Sequence, residues 1–450
     1  MSEGNGHLVA VIGAGPAGLF GARELATAGY HVVLFNRDIK PGGLAEYGIY
    51  PDKHTMKDGL RKQFWQVVDN PNIAYYGNLK IGARGELTLD DLRRLGVQAI
   101  LVAAGAQGTK WLGLPGEDLR GVYHAKDVVY YYNKLPPYSE KKFYFGKRCA
   151  VIGAGNVMVD ISRFLIREMK VDSVVSVVRR GPGEVNFTKE EFKHIIANLD
   201  LAAFENELRR VLPALEAVHE GLDVGRHKVL DSLSKADPKF ADTVFGFQFL
   251  TSPVGMQGQN GILTGLEVED NILVETDGQV KAQGTGHRRV IPLDTVIFAI
   301  GDKVDDSFGL PVASNEFLKS PVPRFPVEGV SYEAYDPAAK AAIPDVFVGG
   351  WSRQASEGLV GVARKDGTNA ARAVIQYVST LPEEQLDLNT LARTVEGLPK
   401  PIITKDELHR LQAVENDEAQ KRGLEEFKFA SNDEMLQALG LAKVPADSAD

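Results

Sequence analysis

The sequence predicts an α/β protein with two strand–loop–helix units, each carrying a glycine-rich loop. Residues 8–18 read as an apolar strand that passes directly into a glycine turn and a helix. Residues 149–157 repeat this pattern later in the chain, and residues 343–351 add a further strand that runs into a glycine turn. Together these three observations indicate two Rossmann-like dinucleotide-binding domains, of which the first is discontinuous in sequence.

The composition sets the broad class of protein. The chain has 450 residues, of which 44% are hydrophobic, and this suffices for two or three domains with buried cores. It carries 51 basic and 60 acidic residues, a formal charge of -9, which argues against nucleic acid as the main partner. The single cysteine, Cys149, can form neither a redox dithiol, nor a zinc site, nor a four-thiolate iron–sulfur cluster. We therefore expect no metal site, a core position for Cys149, and redox chemistry that uses a bound organic cofactor.

The sequence also bears on location. No apolar run approaches the roughly 20 residues of a membrane-spanning helix. Residues 1–7 have neither the layout of a signal peptide nor that of an arginine-rich transit peptide. We expect a cytoplasmic protein without a membrane span, and fraying of residues 445–450.

The elements suggest where the domains meet. Up to about residue 108, short apolar strands such as residues 32–35 and 99–103 alternate with helical stretches. A second βαβ unit is built around residues 151–180. The Gly/Thr/Val-rich alternation of residues 240–300 is typical of antiparallel strands. The expected domains are 1–108 together with 323–450, and 109–322.

The first glycine loop has the spacing of a dinucleotide site. Gly13 allows a tight turn, Gly15 lets the backbone approach a pyrophosphate, and Gly18 permits close packing of helix on strand. The helix that follows would direct its free N–H groups and the positive end of its dipole at the phosphates. The predicted site residues of this loop are Gly13, Gly15, Pro16, Ala17 and Gly18.

The end of the next strand departs from the dinucleotide pattern. An acidic residue about 20 positions after the glycine loop normally binds the ribose. This chain has Asn36 there, followed by Arg37. Because an amide can still hydrogen-bond a ribose hydroxyl, although less strongly than a carboxylate, Asn36 remains a predicted cofactor residue.

The second glycine loop ends differently. Gly153 and Gly155 supply the turn and the phosphate approach, while Met158 stands in place of the third glycine. At the end of the following strand, Arg179 and Arg180 replace the expected acid, and two guanidiniums match a 2′-phosphate by charge and by fork geometry. We therefore expect NADPH rather than NADH here. Two different dinucleotides in one chain suggest hydride transfer from a nicotinamide to a flavin.

Over nearly its whole length the chain resembles adrenodoxin reductase and its bacterial ferredoxin–NADP reductase relatives. The stretches that carry the resemblance are residues 43–52, 76–82, 155–160, 179–182, 187–191, 350–351, 358–360 and 432–439. The resemblance implies a glutathione-reductase-like two-domain flavoprotein with FAD in the first domain and NADP(H) in the second.

The resemblance also implies site residues. Leu44 and Ile81 would line the flavin and adenine ends of FAD, and Trp351 would sit beside the isoalloxazine. On the NADP(H) side, Asn156 and Val157 would hold the pyrophosphate, and Glu191 would contact the nicotinamide-side half. The remaining residues implied for the FAD site are Gly105, Gly358, Leu359 and Val360.

Two departures from the family pattern concern the flavin. Where the family has Pro-Asp-His-Pro, residues 51–54 read Pro-Asp-Lys-His, so the histidine is shifted by one position to His54. The usual Arg-Gly-Pro-Thr is replaced by Gln-Ala-Ser-Glu at residues 354–357. Both segments lie near the flavin in the family and bear on proton handling. His54 is a candidate proton relay, with a plain surface histidine as the equal alternative; His54 and Glu191 are the predicted catalytic residues.

The expected reaction ends on a protein partner. Electrons from NADPH would pass through FAD to a ferredoxin or flavodoxin, and an acidic ferredoxin calls for a basic docking face. Two alternatives stay open: a reductase that delivers electrons to a quinone or another small acceptor, and a non-enzymatic nucleotide-sensing protein. The oligomeric state is not readable from the sequence, and the resemblance favours a monomer. The docking candidates are Arg93, Arg94, Lys193, Arg209 and Arg210.

Overall fold

The computed structural model describes residues 5–356 and 358–441, and the chain divides into two compact units. The first is discontinuous, in agreement with the predicted fold, and the second is formed by Trp111–Val129 and Lys141–Ile300. Residues 301–322 and Tyr130–Glu140 belong to the first unit, whereas the expected boundaries had assigned them to the second domain. The expected fraying at residues 445–450 lies outside the described residues. The first unit comprises Met1–Lys110, Tyr130–Glu140 and Gly301–Asp450.

A six-stranded sheet forms the centre of the first unit. Its strands pair in parallel, except that Glu333–Asp336 runs antiparallel to its neighbour at one edge. Leu8–Ile12 is buried along its whole length, as expected for a parallel strand covered on both faces. The strand order is Glu333–Asp336, Ala341–Val348, Ala99–Val102, Leu8–Ile12, His31–Phe35 and Ile73–Tyr76.

Helices and short strand pairs complete the first unit. Helix Lys405–Arg422 begins with a capping box between Thr404 and Glu407 and ends at Gly423 in the left-handed conformation. The short strand pairs are Asn5–Gly6 with Glu384–Gln385, Gly108–Thr109 with Asp302–Lys303, and Val312–Ala313 with Glu316–Phe317. The α-helices are Pro16–Thr27, Leu44–Tyr47, His54–Val68, Leu89–Arg94, Val360–Val378, Leu388–Glu396, Lys405–Arg422 and Asn432–Ala438; the 3-10 helices are Tyr138–Glu140, Asp306–Phe308 and Gly350–Ser352.

The second unit has its own five-stranded parallel sheet and a three-stranded antiparallel sheet. The antiparallel strands are Thr251–Gln259, Ile262–Thr276 and Gln279–Pro292, which confirms the predicted antiparallel pattern for residues 251–292. At the two ends of the predicted stretch, Val244–Gln248 and Thr295–Phe298 join the parallel sheet instead. The parallel sheet has the order Val244–Gln248, Ser173–Val177, Arg148–Ile152, Thr295–Phe298 and Val122–His124. Its helices are Asn156–Arg167, Lys189–Phe192, Leu201–Glu216 and Asp223–Leu230, with 3-10 turns at Pro182–Glu184, Ile196–Asn198 and Leu233–Lys235; helix Ala125–Tyr132 runs from this unit into the first.

The structure bears on two further expectations, the position of Cys149 and the absence of a membrane span. Cys149 lies fully buried in the strand Arg148–Ile152, and burial raises the pKa of its thiol to about 12. The thiol is therefore protonated at neutral pH and packs as a small core side chain. Within residues 5–356 and 358–441, no helix is both long enough and apolar enough to cross a membrane.

Candidate functional site

The first glycine loop is packed so tightly that two of its positions accept only glycine. Gly13 has a φ of 102° and donates its N–H to the carbonyl of Phe35 at 2.7 Å. A Cβ on Gly13 would lie 2.4 Å from the carbonyl oxygen of Ala103. A Cβ on Gly18 would lie only 1.8 Å from the carbonyl oxygen of Gly13. The loop is thus clamped between the strand ends and its own helix.

Gly15, by contrast, faces open space. A Cβ built there would meet nothing nearer than the Cα of Gly43 at 4.0 Å. Gly15 is the N-cap of helix Pro16–Thr27, and no side chain among the described residues caps this helix. The N–H groups of its first turn, Ala17 included, are therefore available to an anion placed over Gly15.

Asn36 is a structural anchor for the same loop. Its Oδ1 accepts a hydrogen bond from the N–H of Ala14 at 3.1 Å, and its Nδ2 donates to the carbonyls of Asp38 and Lys40 at 2.8 and 2.9 Å. The residue is 7% exposed. Because both Nδ2 hydrogens are engaged within the protein, Asn36 could offer a ribose hydroxyl only the remaining acceptor position on Oδ1.

The side chain of Arg37, the next residue, connects two loops that follow strand ends of the sheet. Its guanidinium pairs with both carboxylate oxygens of Asp38, at 2.9 and 3.1 Å, and donates to the side-chain oxygen of Gln107 at 3.0 Å. The neighbouring carboxylate of Asp38 raises the pKa of Arg37 further above its ordinary value. The two strand ends that follow residues 35 and 102 are thereby tied together.

Asp366 was not singled out from the sequence, yet it organises one wall of this site. Its carboxylate accepts the N–H of Gly350 at 2.6 Å and two donors of the Arg353 guanidinium at 2.6 and 3.0 Å. The Asp366 and Arg353 side chains are each 10% exposed. The sequence does carry a signal for Asp366: aspartate and glycine both have low helix propensity, yet Asp366 and Gly367 stand inside a helical stretch.

The segment fixed by Asp366 carries the predicted Trp351. Ser352, next to it, accepts the N–H of Gly105 on its Oγ at 3.0 Å, so two predicted site residues come together here. A Cβ on Gly350 would lie 2.5 Å from the Cβ of Ala17, which puts the segment against the first turn of the dinucleotide helix. Trp351 itself is half-buried.

The stretch that follows Trp351 leads into helix Val360–Val378. Gly358 has a φ of 73°, and a Cβ there would collide with Val362. Leu359 is the N-cap residue and is 72% exposed. Glu357, the last residue of the Gln-Ala-Ser-Glu departure, lies outside the described residues.

Three further predicted residues of the first unit lie outside the glycine loop itself, and Leu44 is close to it because Gly43 packs against Gly15. His54 starts helix His54–Val68, and its Nε2 lies 3.1 Å from a carboxylate oxygen of Glu425. Leu44 packs against a cluster formed by Tyr47, Tyr130 and Leu135. Ile81 is 3% exposed within the hydrophobic core. His54 therefore has an acidic partner from the C-terminal segment.

A buried charge network lies beside His54. Glu46 is 3% exposed and pairs with Arg61 at 2.7 Å and with Lys428 at 2.6 Å. Although burial opposes ionisation, Lys428 and Arg61 hold the pKa of Glu46 well below its ordinary value. Lys57 is 1% exposed; burial is the main reason that its pKa falls to about 8, and its Nζ donates to Asn133 at 3.2 Å.

The second glycine loop repeats the geometry of the first. Gly153 has a φ of 137°, and a Cβ there would lie 2.4 Å from the carbonyl oxygen of Ala299. Gly155 is the N-cap of helix Asn156–Arg167; within the described part of the chain no side chain caps this helix, and a Cβ on Gly155 would meet no atom within 4 Å. Met158, in place of the third glycine, is fully buried. An anion again has open space in front of a helix N-terminus.

Asn156 organises this second loop from its first helical position. Its side-chain oxygen accepts the N–H of Thr188 at 2.8 Å, and the N–H groups of Asn186 and Phe187 donate to the carbonyl of Ala154. The strand-like segment that precedes helix Lys189–Phe192 is thus held beside the glycine loop. Of the two other predicted residues, Val157 follows Asn156 and is 45% exposed, and Glu191 belongs to helix Lys189–Phe192.

The predicted arginine pair lies at the end of strand Ser173–Val177. Both side chains are exposed, and their backbone is fixed because Asn271 donates to the carbonyl of Arg179 and Leu250 donates to that of Arg180. The guanidinium of Arg180 pairs with Glu184 at 2.5 Å. Among the described residues, Arg179 has no carboxylate partner. The two arginines are therefore presented side by side, one of them paired.

Comparisons with known proteins agree with this arrangement. Residues 7–200 match the family described as pyridine nucleotide-disulphide oxidoreductase. The mitochondrial NADPH:adrenodoxin oxidoreductase of Arabidopsis thaliana is 30% identical over 393 residues, which cover 78% of this chain and 78% of that protein. The NADPH-ferredoxin reductase FprA of Mycobacterium leprae is 27% identical over 402 residues, covering 83% of this chain and 84% of the relative.

Solved structures give the same fold. The structure of Mycobacterium tuberculosis FprA in complex with NADPH superimposes with a TM-score of 0.79 at 25% identity. The match covers 97% of this chain and 99% of that one. The two-domain α/β architecture predicted from the sequence is therefore confirmed.

Proposed function

Because the chain belongs to the NADPH:adrenodoxin oxidoreductase family, we propose that it is an NADPH-dependent flavoprotein reductase. In this proposal a hydride passes from NADPH to FAD, and single electrons then pass to a ferredoxin-type carrier, which makes the enzyme a ferredoxin–NADP+ reductase. The observation that carries the proposal is the pair of glycine loops, each with an open N-cap glycine in front of an uncapped helix, at Gly15 and Gly155.

The first unit is the proposed FAD site. The open space over Gly15 suits a pyrophosphate, which the N–H groups at the start of helix Pro16–Thr27 would bind. Asn36 would act mainly by fixing the loop, since its amide already bonds Ala14. Asp366 would hold the segment of Trp351 in place beside the isoalloxazine. Bound FAD supplies an acceptor that takes up a hydride and releases electrons one at a time.

The second unit is the proposed NADPH site. The space over Gly155 suits the pyrophosphate of NADPH, with Asn156 and Val157 at the helix N-terminus. Arg179 and Arg180 would bind the 2′-phosphate through charge-assisted hydrogen bonds. Glu191 would contact the nicotinamide-side half of the cofactor. The chain's contribution to hydride transfer is positioning, which needs no nucleophile.

His54 remains our candidate for a proton relay. Its Nε2 lies 3.1 Å from a carboxylate oxygen of Glu425, so the two side chains together could carry a proton between the flavin and solvent during turnover. A His54→Ala variant whose rate of flavin reduction changes less than twofold would remove it from the mechanism.

The proposed partner is a ferredoxin or flavodoxin, and the proposed setting is a cytoplasmic monomer. An NADPH-dependent reductase with a quinone or other small-molecule acceptor is the alternative. Anaerobic reduction of cytochrome c by NADPH, with and without added ferredoxin at low ionic strength, separates the two. Strong dependence on ferredoxin supports the carrier reaction. Bleaching of the flavin by NADPH without ferredoxin stimulation would leave only the alternative.

A further inference from the structure

Four of the five basic residues first considered for partner docking pair with an acid within the protein, and the fifth, Arg209, hydrogen-bonds to neutral groups. Arg93 pairs with Asp345 at 2.6 Å, Arg94 pairs with Asp91, and Lys193 pairs with Glu190 at 2.9 Å. Arg210 pairs with Glu207 at 2.8 Å, and Arg209 donates to the side chain of Asn206 at 2.6 Å. Such paired surface charges give a partner little uncompensated positive potential.

A different group of cations lies in the first unit. Helices Pro16–Thr27 and Val360–Val378 border a cleft of about 360 Å³, which we name the cationic cleft. Gly361, Arg364, Lys365, Thr368 and Arg372 follow helical spacing and therefore form one face of the second helix. The cations that line the cationic cleft are Arg23, Arg364, Lys365 and Arg372.

Two of these cations have no acid to balance them. The guanidiniums of Arg23 and Arg364 lie over the ring of Phe20, at 4.6 and 4.3 Å from its centroid. Across residues 5–356 and 358–441, neither guanidinium has a carboxylate partner. The aromatic ring holds the two like charges near each other. An incoming anion would find them already in place.

The other two cations, Lys365 and Arg372, each form an ion pair with a glutamate. Lys365 contacts Glu328 at 3.0 Å, and Arg372 contacts Glu24 at 2.9 Å. The cationic cleft thus keeps a net positive charge, which Arg23 and Arg364 supply.

Exposed apolar side chains adjoin this charge. Leu359, the N-cap, is 72% exposed and Val362 is 52% exposed, and they precede Arg364 by five and two positions. Apolar contact area beside charge of one sign is typical of surfaces that receive a protein partner. The residues from Gly358 to Val360 are those proposed to lie beside the isoalloxazine, so a partner bound here would meet the flavin side of the unit.

The cationic cleft also lies close to the first glycine loop. A Cβ on Gly367 would lie 2.1 Å from the carbonyl oxygen of Ala17, so the two helices touch at the start of the dinucleotide helix. Arg364 and Arg372 are two helical turns apart, about 12 Å along the axis. This spread suits several carboxylates on a protein surface better than one phosphate group.

We propose that the cationic cleft and its apolar neighbours Leu359 and Val362 dock an acidic electron-carrier protein of the ferredoxin type. This inference rests on the proposed function and adds the surface that the carrier uses. The unpaired guanidiniums of Arg23 and Arg364 steer and orient the carrier, and the apolar residues make close contact.

The test is the double variant Arg23→Gln/Arg364→Gln. Arg94→Gln/Arg288→Gln is the matched control, because it changes the net charge equally at exposed arginines that pair with Asp91 and Glu267. The assay is anaerobic reduction of cytochrome c by NADPH through adrenodoxin, at low and at high ionic strength. Reduction of ferricyanide by NADPH is followed in parallel as a carrier-independent readout.

We expect the KM for adrenodoxin to rise roughly tenfold in the Arg23/Arg364 variant at low ionic strength, and its dependence on salt to weaken. Ferricyanide reduction and the control variant should stay within twofold of the wild type. Lys365→Glu, at a side chain 68% exposed, gives a second variant: it reverses one charge of the cationic cleft, leaves Glu328 without its partner and should raise the same KM.

A KM for adrenodoxin that is the same in the Arg23/Arg364 and control variants, with the wild type stimulated by the carrier, overturns the docking inference alone. A wild type that reduces ferricyanide but is stimulated by neither adrenodoxin nor a bacterial ferredoxin overturns the carrier function and the docking surface together. A wild type that does not reduce ferricyanide with NADPH would overturn the NADPH–FAD chemistry.

Discussion

Arg180 and Glu184 form an ion pair in the second unit, with Nη1 of the arginine 2.5 Å from Oε2 of the carboxylate. The other carboxylate oxygen of Glu184 is buried and has no hydrogen-bond partner among the described residues. Arg179, one position earlier, has an exposed side chain with no carboxylate partner in the described part of the chain. A 2′-phosphate could therefore bind the guanidinium of Arg179 directly, whereas it would compete with Glu184 for the guanidinium of Arg180.

Removal of either arginine should weaken NADPH binding. Each charge-assisted hydrogen bond contributes roughly 1.5–3 kcal/mol, so we expect Arg179→Ala or Arg180→Ala to lower the affinity about ten- to a hundredfold. Binding of NADH should change little. The measurement is kcat/KM for NADPH and NADH in ferricyanide reduction, with Arg209→Ala as control. An unchanged NADPH/NADH preference in both variants would show that these arginines do not read the 2′-phosphate.

Removal of the competing acid should have the opposite effect. Glu184→Gln keeps the shape of the side chain but frees Arg180 from its ion pair, so we expect NADPH to bind about three- to tenfold more tightly. Titration of the purified protein with NADP+ measures this, and the thermal midpoint checks the fold. Weaker binding of NADP+ would mean that Glu184 positions Arg180 rather than competes for it.

Two glycine-to-alanine variants should distinguish a glycine that leaves room for a ligand from a glycine that packs against the protein. Gly155→Ala adds a Cβ that meets no protein atom within 4 Å, so we expect an unchanged thermal midpoint but a KM for NADPH at least tenfold higher. Gly18→Ala adds a Cβ 1.8 Å from the Gly13 carbonyl oxygen, and we expect this clash to prevent the first unit from folding. Normal NADPH kinetics in Gly155→Ala would refute a pyrophosphate over this glycine.

The buried Arg353–Asp366 pair should be worth far more than an exposed pair. Asp366→Asn leaves Arg353 without its counter-ion at 10% exposure, and we expect a loss of about 3–5 kcal/mol in unfolding free energy together with weaker retention of the flavin. Asp58→Asn is the matched control, because Asp58 also pairs with an arginine but is 70% exposed. Urea denaturation and the flavin absorbance of the purified variants give both readouts. Equal losses in the two variants would contradict the assigned role of Asp366.

Lys57 should make stability rise with pH in an alkaline window. Burial lowers its pKa in the folded protein from the usual 10.5 to about 8, with Lys428 and Arg61 repelling the charge and Glu426 and Glu46 favouring it. Between these two values the unfolded chain holds the proton that the folded protein has released. The unfolding free energy should therefore increase there by up to about 1.4 kcal/mol per pH unit relative to Lys57→Met. Urea denaturation at pH 7, 8, 9 and 10 tests this, and parallel curves for the two proteins would disprove it.

The parts of the fold that follow local rules were predictable from the sequence. The two glycine loops and their flanking strands combine spacing, β-branched runs and helix starts within a few residues, and they appear where they were expected. The discontinuity of the first unit followed from a late strand–glycine segment, which is Ala341–Val348 in the sheet. Local signals of this kind agree with one another, which is why they predict well.

The parts that depend on distant partners were not predictable. Arg93 and Arg210 looked available for docking because nothing in the local sequence shows that Asp345 and Glu207 neutralise them. Asn36 is predicted to bind a ribose, and nothing in the local sequence shows that its side chain also bonds Ala14 and the carbonyls of Asp38 and Lys40. Long-range ion pairs leave no periodic trace in a sequence, so a residue's charge alone does not reveal its partner.

The sheet of the first unit also constrains how the protein is made. Strand Ala99–Val102 pairs on one side with Leu8–Ile12 and on the other with Ala341–Val348, and the whole second unit is synthesised between the two partners. During translation the second unit can fold while the first still has an open strand edge that is prone to mispairing. Closure of that edge spans a long loop and should be slow. The earliest moment at which a nascent chain can complete this sheet is therefore set by the emergence of Ala341–Val348, long after the glycine loop has left the ribosome.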